Sequence, residues 1–215
     1  MNGRVEHEAD AREARLRGLY LITPDDADTT ALVRRMDDVL PHATLLQYRN
    51  KQAGAALRRT QAAALLSLCR DHGVPLLIND DWRLAGEIGA DGAHLGHGDG
   101  DLGEARAQLG EDFLLGASCY DDAGLAVAAV AAGASHVAFG AFFPSPTKPH
   151  ARRASPSLLR ESATLGVPRV AIGGITPENA PSLVAAGADL VAVISGVFDA
   201  HDPVAAARAY RACFD

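Results

Sequence analysis

The sequence predicts a single (β/α)8 barrel, and three observations carry that prediction. Short apolar runs, several closed by Gly, Asn or Asp, recur eight times along the 215 residues. Alanine-rich stretches of helical character lie between them. Three joints, EIGADGAHLG, VAAGASHVAFG and VAAGADLVAVISG, repeat one design: a helix stops at glycine (Gly89, Gly133, Gly187) and a strand follows within a few residues. Glycine ends a helix cheaply because it takes the left-handed conformation without a side-chain clash. Repeated helix–strand units imply parallel strands, and eight of them without a change of composition imply closure into a barrel. A doubly wound open sheet is the rival, but no GxGxxG follows the first strand.

The runs taken as strands are GLYLITP (18–24), ATLLQYRN (43–50), VPLLIND (74–80), ADGAHLG (90–96), FLLGASC (113–119), HVAFGAFF (136–143), PRVAIGGI (168–175) and LVAVISG (190–196). They are too short for ordinary helices. The helical stretches are 28–40, 53–72, 82–88, 101–109, 122–132, 155–165, 177–186 and 203–213. Residues 1–17, alternately acidic and basic, read as an extra helix or a tail, and 18–215 as the barrel.

Composition narrows the function. Hydrophobic residues make up 48 % and charged ones 22 %, the balance of a soluble globular chain. Net charge is −7, so a basic nucleic-acid surface is not expected. No apolar run is long enough to cross a bilayer, and the charged amino terminus has no apolar leader. Cys69, Cys119 and Cys213 are too few and too scattered for a disulfide framework or a CxxC metal site, which fits a reducing cytoplasm. An anionic ligand must then be held by a few local cations, helix amino ends and metal ions.

In a barrel of this kind chemistry sits where strands run into the following loops. Gln47, Arg49 and Lys51, spaced by two, project to one side of an extended segment. They make either an anion clamp or three solvated residues. Asn79, Asp80 and Asp81 end the third strand, and HLGHGDGD continues the fourth. Asp80 and Asp99, at neighbouring strand ends, are the pair suited to share one hard cation such as Mg²⁺. Asp81 reads as a helix cap and Asp101 as a turn residue. His94 and His97 have no thiolate or third histidine nearby in sequence, so zinc is disfavoured and His94 reads as a hydrogen-bonding residue. Cys119, beside Ser118, reads as a buried thiol rather than a nucleophile. Gly173 and Gly174 in AIGGITPEN, with Ile194, Ser195 and Gly196 in AVISGVF, let backbone N–H groups approach a phosphate. In GAFFPSPTKP three prolines stiffen a loop that carries Ser145, Thr147 and Lys148. Lys148 and Lys51 are the two lysines beside eighteen arginines. That choice suits places where one compact charge must enter a crowded pocket.

Taken in order, YLIT, QYRNK, IND, HLGHGD, GAS, FFPSPTKP, IGGI and VISGVF resemble the thiamine phosphate synthase family from about residue 18 to the carboxyl end. The resemblance implies a transferase that joins a hydroxymethylpyrimidine pyrophosphate to a thiazole phosphate, with the C–O bond breaking first. It implies that Gln47, Arg49, Lys51 and Asn79 hold pyrophosphate and that Lys148 reaches it from the other side. Asp80 and Asp99 would bind Mg²⁺, and Ser118 would sit near the pyrimidine and its reacting bond. Ser145, Thr147 and backbone groups of Gly174, Ile194 and Ser195 would contact the thiazole phosphate. It further implies small-molecule substrates and a homodimer, with neither nucleic-acid nor membrane partners. Three positions depart from the family's usual residues: Asn50 for Glu, His97 for Gln and Ser145 for Thr. Asn50 is expected to point away from the clamp. The alternatives are a related barrel that isomerises the thiazole phosphate, and a non-catalytic thiazole phosphate binder.

Overall fold

The computed structural model describes residues 16–144 and 153–215. Eight parallel strands close into a barrel in chain order: β1 (Gly18–Ile22), β2 (Leu45–Tyr48), β3 (Leu76–Asn79), β4 (Gly92–Leu95), β5 (Leu114–Tyr120), β6 (His136–Gly140), β7 (Arg169–Ile172) and β8 (Leu190–Val193). Each falls within one of the eight apolar runs, Tyr120 alone lying one residue past its run. The helices are α1 (Thr29–Val39), α2 (Ala55–His72), α3 (Trp82–Ile88), α4 (Leu102–Leu109), α5 (Ala123–Ala131), α6 (Pro156–Glu161), α7 (Ala180–Ala185), α8 (Ser195–Phe198) and α9 (Pro203–Ala212). The short α8 is an addition to the expected set. It forms where β8 ends, the place where such barrels carry an extra phosphate-facing helix.

Strand pleating divides the apolar residues into two layers. Leu45 of β2 points into the barrel with Tyr20, Leu77, Leu114, Val170 and Leu190. Its neighbours Leu46 and Tyr48 point outward to the helices, where the larger core lies. Helix α1 shows how the outer layer is built: Leu32, Met36 and Val39 recur at helical spacing and are wholly buried. Each such side chain contributes about 1.5–3 kcal/mol.

The acidic composition has a local cause. Asp28, Asp81, Asp101, Asp122 and Asp202 each cap a helix, accepting hydrogen bonds from backbone N–H groups of the first turn. Asp81 is the cap its position predicts, and Asp101 caps α4 rather than only turning the chain. A cap of this type is worth about 1 kcal/mol. The predicted glycine stop is present at Gly89, which ends α3 at φ 71°.

Residues 1–15 lie outside the described residues, and with them most of the segment read as a helix or tail. Leu16, next along, is buried in the interior cluster. Among the described residues no helix is long and apolar enough to cross a membrane.

Candidate active site

The β3–β4 rim brings two carboxylates together. The Asp80 N–H continues the ladder to the His94 carbonyl at 2.9 Å, and the Asp80 backbone then turns left-handed at φ 62°. For a residue with a side chain this costs roughly 1–2 kcal/mol. The turn brings its carboxyl close enough to Asp99 for the two to interact. Asp99 is itself aimed by the Gly96 N–H, which donates to its Oδ2 at 2.9 Å. Burial pushes the Asp80 carboxyl up, the Asp99 hydrogen bond and charge push it further, and Lys51 and Asn79 pull it back. Asp99, Lys51 and Asn79 therefore each act on Asp80. Lys51, Asn79 and Asp80 also line one cavity of about 290 Å³ together with Arg58 and Asp81.

The expected clamp on β2 divides. Gln47 faces the barrel interior, only 3 % exposed, and its amide donates to the Tyr20 hydroxyl at 2.7 Å. Arg49 stands at the mouth, its Nη1 3.4 Å from Asp25 Oδ1. The same Asp25 oxygen accepts the Lys51 N–H at 2.9 Å. The Thr23 hydroxyl closes the turn: it accepts the Arg49 N–H and donates to the Arg49 carbonyl, both at 2.8 Å. Asp25 thus orders both cationic residues, and sequence reading missed it; its signal was the acidic pair in LITPDD. Asn50, expected to point away, lines the same cavity as Lys51 but spends its polar atoms on neighbouring protein groups. Its amide donates to the Asp26 carbonyl at 2.6 Å and to Gln61 at 3.0 Å, and its Oδ1 accepts from the Gln52 and Ala53 N–H groups.

Ser118 lies near the end of β5, where the register with β6 shifts. Its hydroxyl meets His94 Nε2 at 3.0 Å, which gives His94 the hydrogen-bonding part expected of it. Tyr20 meets the His94 and His136 rings in T-shaped contacts and the two imidazoles lie tilted to one another, with ring centroids 5.7–6.4 Å apart. Burial holds both imidazoles neutral, lowering His94 to about 4 and His136 to about 3. His136 was not singled out from sequence. Cys119 is an inert thiol, pushed up to about 12 by burial. Among the described residues no group of three potential ligands suits zinc, and His97 is exposed.

On the opposite rim the site is backbone. Gly173 and Gly174 take φ 100° and 63°. A Cβ on Gly174 would run into the carbonyl oxygens of Phe143 and Pro144. Asn179 pins the turn, its Oδ1 accepting the Thr176 N–H at 2.9 Å and its amide donating to the Gly174 carbonyl at 3.1 Å. The Tyr210 hydroxyl of α9 donates to the Ile175 carbonyl at 2.8 Å, and it also fills the space where a Cβ of Gly196 in α8 would sit. The loops after β7 and β8 are thereby fixed against one another, with Ile194 as the amino cap of α8 and Ser195 its first residue. Ser145, Thr147 and Lys148 lie outside the described residues. The flanks of their loop are tied together over β7: Phe143 N–H donates to the Gly173 carbonyl and Ala154 N–H to the Ala141 carbonyl, both at 3.0 Å.

Comparison with known proteins decides what this rim belongs to. A family model described as thiamine monophosphate synthase matches residues 19–197. The chain belongs to the thiamine monophosphate synthase family. It is 62 % identical over 198 residues to the thiamine-phosphate synthase of Xanthomonas campestris pv. campestris (strain 8004), covering 92 % of this chain and 96 % of that one. It is 55 % identical over 205 residues to that of Aromatoleum aromaticum, covering 94 % and 99 %. Among solved structures, a thiamine phosphate pyrophosphorylase from Pyrococcus furiosus superposes with a TM-score of 0.82 at 29 % identity, over 95 % of this chain and 97 % of that one. A 3-hexulose-6-phosphate synthase, at 18 % identity and TM-score 0.69, shares the fold. The activity of the chain is that of its family, thiamine-phosphate synthesis by group transfer.

Proposed function

We propose that the two rims of this barrel serve the two substrates separately. The pyrimidine pyrophosphate lies over β2–β5 and the thiazole phosphate over β6–β8. The observation that carries the reading is the Asp80–Asp99 carboxylate pair, held together by a strained backbone turn and faced by Lys51. Two opposed carboxylates with a lysine at hand fit a hard divalent cation better than they fit each other, and their oxygens match Mg²⁺. Asp80 and Asp99 would hold that ion. When bound it supplies positive charge against the oxygens of the departing pyrophosphate.

The protein's own groups do the rest. Arg49 offers a planar fork at the mouth and Lys51 a mobile point charge, while Asn79 contributes an amide to the same oxygens. Lys148 would add a second ammonium from the β6 side. As the C–O bond lengthens, negative charge grows on the leaving group and positive charge on the pyrimidine methylene. Preorganised cations favour that separation. Ser118 is placed at the pyrimidine. Gly174, Ile194 and Ser195, with Ser145 and Thr147, hold the thiazole phosphate so that its ring nitrogen meets the freed carbon. That nitrogen carries a lone pair and requires no general base.

The same reading places the protein in the cytoplasm, where Cys69, Cys119 and Cys213 remain free thiols, and makes it a homodimer. Pyrophosphate release from the two substrates, with and without Mg²⁺, tests the mechanism in the wild type and in Asp80→Ala and Lys148→Ala. The expected result is Mg²⁺-dependent release that both variants lose. Release that persists undiminished in Asp80→Ala would overturn the metal assignment. Isomerised thiazole phosphate without pyrophosphate would overturn the reaction.

A further inference from the structure

His94, Gly116 and His136 stand side by side across β4, β5 and β6. Gly116 makes room for the two rings: a Cβ there would collide with His94 Nδ1 on one side and His136 Nε2 on the other. Both nitrogens are buried, and neither has a hydrogen-bond partner among the described residues. A buried imidazole nitrogen left unpaired costs free energy. Two that converge on one spot from opposite sides complete each other if one carries a proton and the other a lone pair.

Their outer ends fix which is which. Ser135 Oγ donates its single proton to the Leu115 carbonyl at 3.1 Å and accepts the Leu115 N–H at 2.8 Å. It can therefore meet His136 Nδ1, 3.4 Å away, only as an acceptor. His136 then carries its proton on Nδ1 and a lone pair on Nε2. That lone pair calls for a proton on His94 Nδ1, which leaves the lone pair of His94 on Nε2. At 3.0 Å, Nε2 accepts the Ser118 O–H.

We propose that Ser118, His94, His136 and Ser135 form a one-way chain of hydrogen bonds through the barrel interior, with His94 Nδ1 donating to His136 Nε2 across the space that Gly116 leaves. The chain turns the Ser118 proton inward and leaves only its oxygen lone pairs facing the substrate. His136 is a positioning residue that acts through His94. Both rings must be neutral for this, and both lie buried in the barrel interior. The functional meaning rests on the reaction proposed above. Lone pairs suit a ligand group that donates a hydrogen bond or gains positive charge, and an aminopyrimidine losing its leaving group does both. Ser118 is thereby excluded as a proton donor to the departing pyrophosphate.

The test needs no substrate at its first stage. Long-range nitrogen–proton correlation spectra of the full chain, labelled with nitrogen-15 in histidine, report the tautomer of each ring. Both His94 and His136 are expected neutral and protonated on Nδ1. A proton on Nε2 of either ring overturns the chain. In His136→Phe, His94 should lose its fixed tautomer and populate the Nε2–H form. Turnover should fall about tenfold with little change in KM, the scale of one misdirected hydrogen bond. His136→Gln, whose amide oxygen can accept from His94 Nδ1, should recover most of the loss. An unaltered His94 tautomer or unaltered turnover in His136→Phe contradicts the proposal. If that variant does not fold, Ser135→Ala serves instead: His136 should then populate its Nε2–H form, and a ring still fixed on Nδ1 contradicts the chain. Because the spectra are read without substrate, a wrong chain and a wrong reaction fail separately.

Discussion

On the proposed reading, the β3–β4 rim and the β7–β8 rim handle anions by different means. At the first, charged side chains converge: Asp99 pushes the Asp80 carboxyl up, and Lys51 pulls it back. At the second, the parts are glycine turns and a four-residue helix, held by Asn179 and Tyr210. The difference fits what each anion would undergo in the proposed reaction. A leaving group gains charge during the reaction, so its partners must supply full, mobile charge. A phosphate that passes through unchanged needs only fixed dipoles at the right distance. The first rim concentrates electrostatic repulsion, the second close backbone approaches that leave a Cβ on Gly174 no room.

The sharpest way to break this contrast is Asp80→Asn, which keeps shape and removes charge. It should lower kcat/KM by about 10²–10³, the usual scale for losing one preorganised electrostatic contact. Steady-state kinetics across Mg²⁺ concentrations measures it, and a loss confined to the thiazole phosphate KM would erase the division of labour. Next in size is Gly174→Ala, whose methyl would strike the Phe143 and Pro144 carbonyls at a left-handed position. It should raise the KM for thiazole phosphate about tenfold and leave the Mg²⁺ dependence unchanged; a strain of about 1–3 kcal/mol is available for this.

A third expectation concerns acid. The folded values of His94 and His136, about 4 and about 3, lie below the unfolded value near 6.5. The unfolded chain therefore binds protons first as pH falls. Stability these rings contribute is present above pH 6.5 and drains away between there and roughly pH 4, by about 3 kcal/mol for His94 at one unit per 1.36 kcal/mol. Urea midpoints across that window check it, and a flat profile would contradict it. The smallest effect is a reversal of sign. Asp80 titrates higher folded than unfolded, so it favours folding most at low pH and loses that contribution as pH rises through its raised value. Without Mg²⁺ at neutral pH, Asp80→Asn should therefore melt a little higher than the wild type. Added Mg²⁺ should close the gap by stabilising only the wild type.

Much of this was legible in the chain because it rests on short-range chemistry. Apolar runs give strands whatever surrounds them, and Gly89 ends α3 for local reasons. Asp80 and Asp99 could be paired because neighbouring strands of a barrel end side by side. What escaped needed register. Gln47 shares the spacing of Arg49 and Lys51, yet the pleat turns it inward to Tyr20 while the chain leaves the sheet before Arg49. His136 opens an ordinary apolar run, and nothing in HVAFG tells that a glycine on the neighbouring strand sets it facing His94. Asp25 acts from a loop whose path sequence does not specify.

The hydroxyl of Tyr210 reaches the turns after β7 and β8 from a helix near the carboxyl end of the chain. Trimming or fusing at that end is thus no neutral cloning choice. A deletion that reached Tyr210 would remove one of the largest buried side chains of the core together with the hydroxyl that ties the two turns, so the injury would fall on stability and on those turns at once.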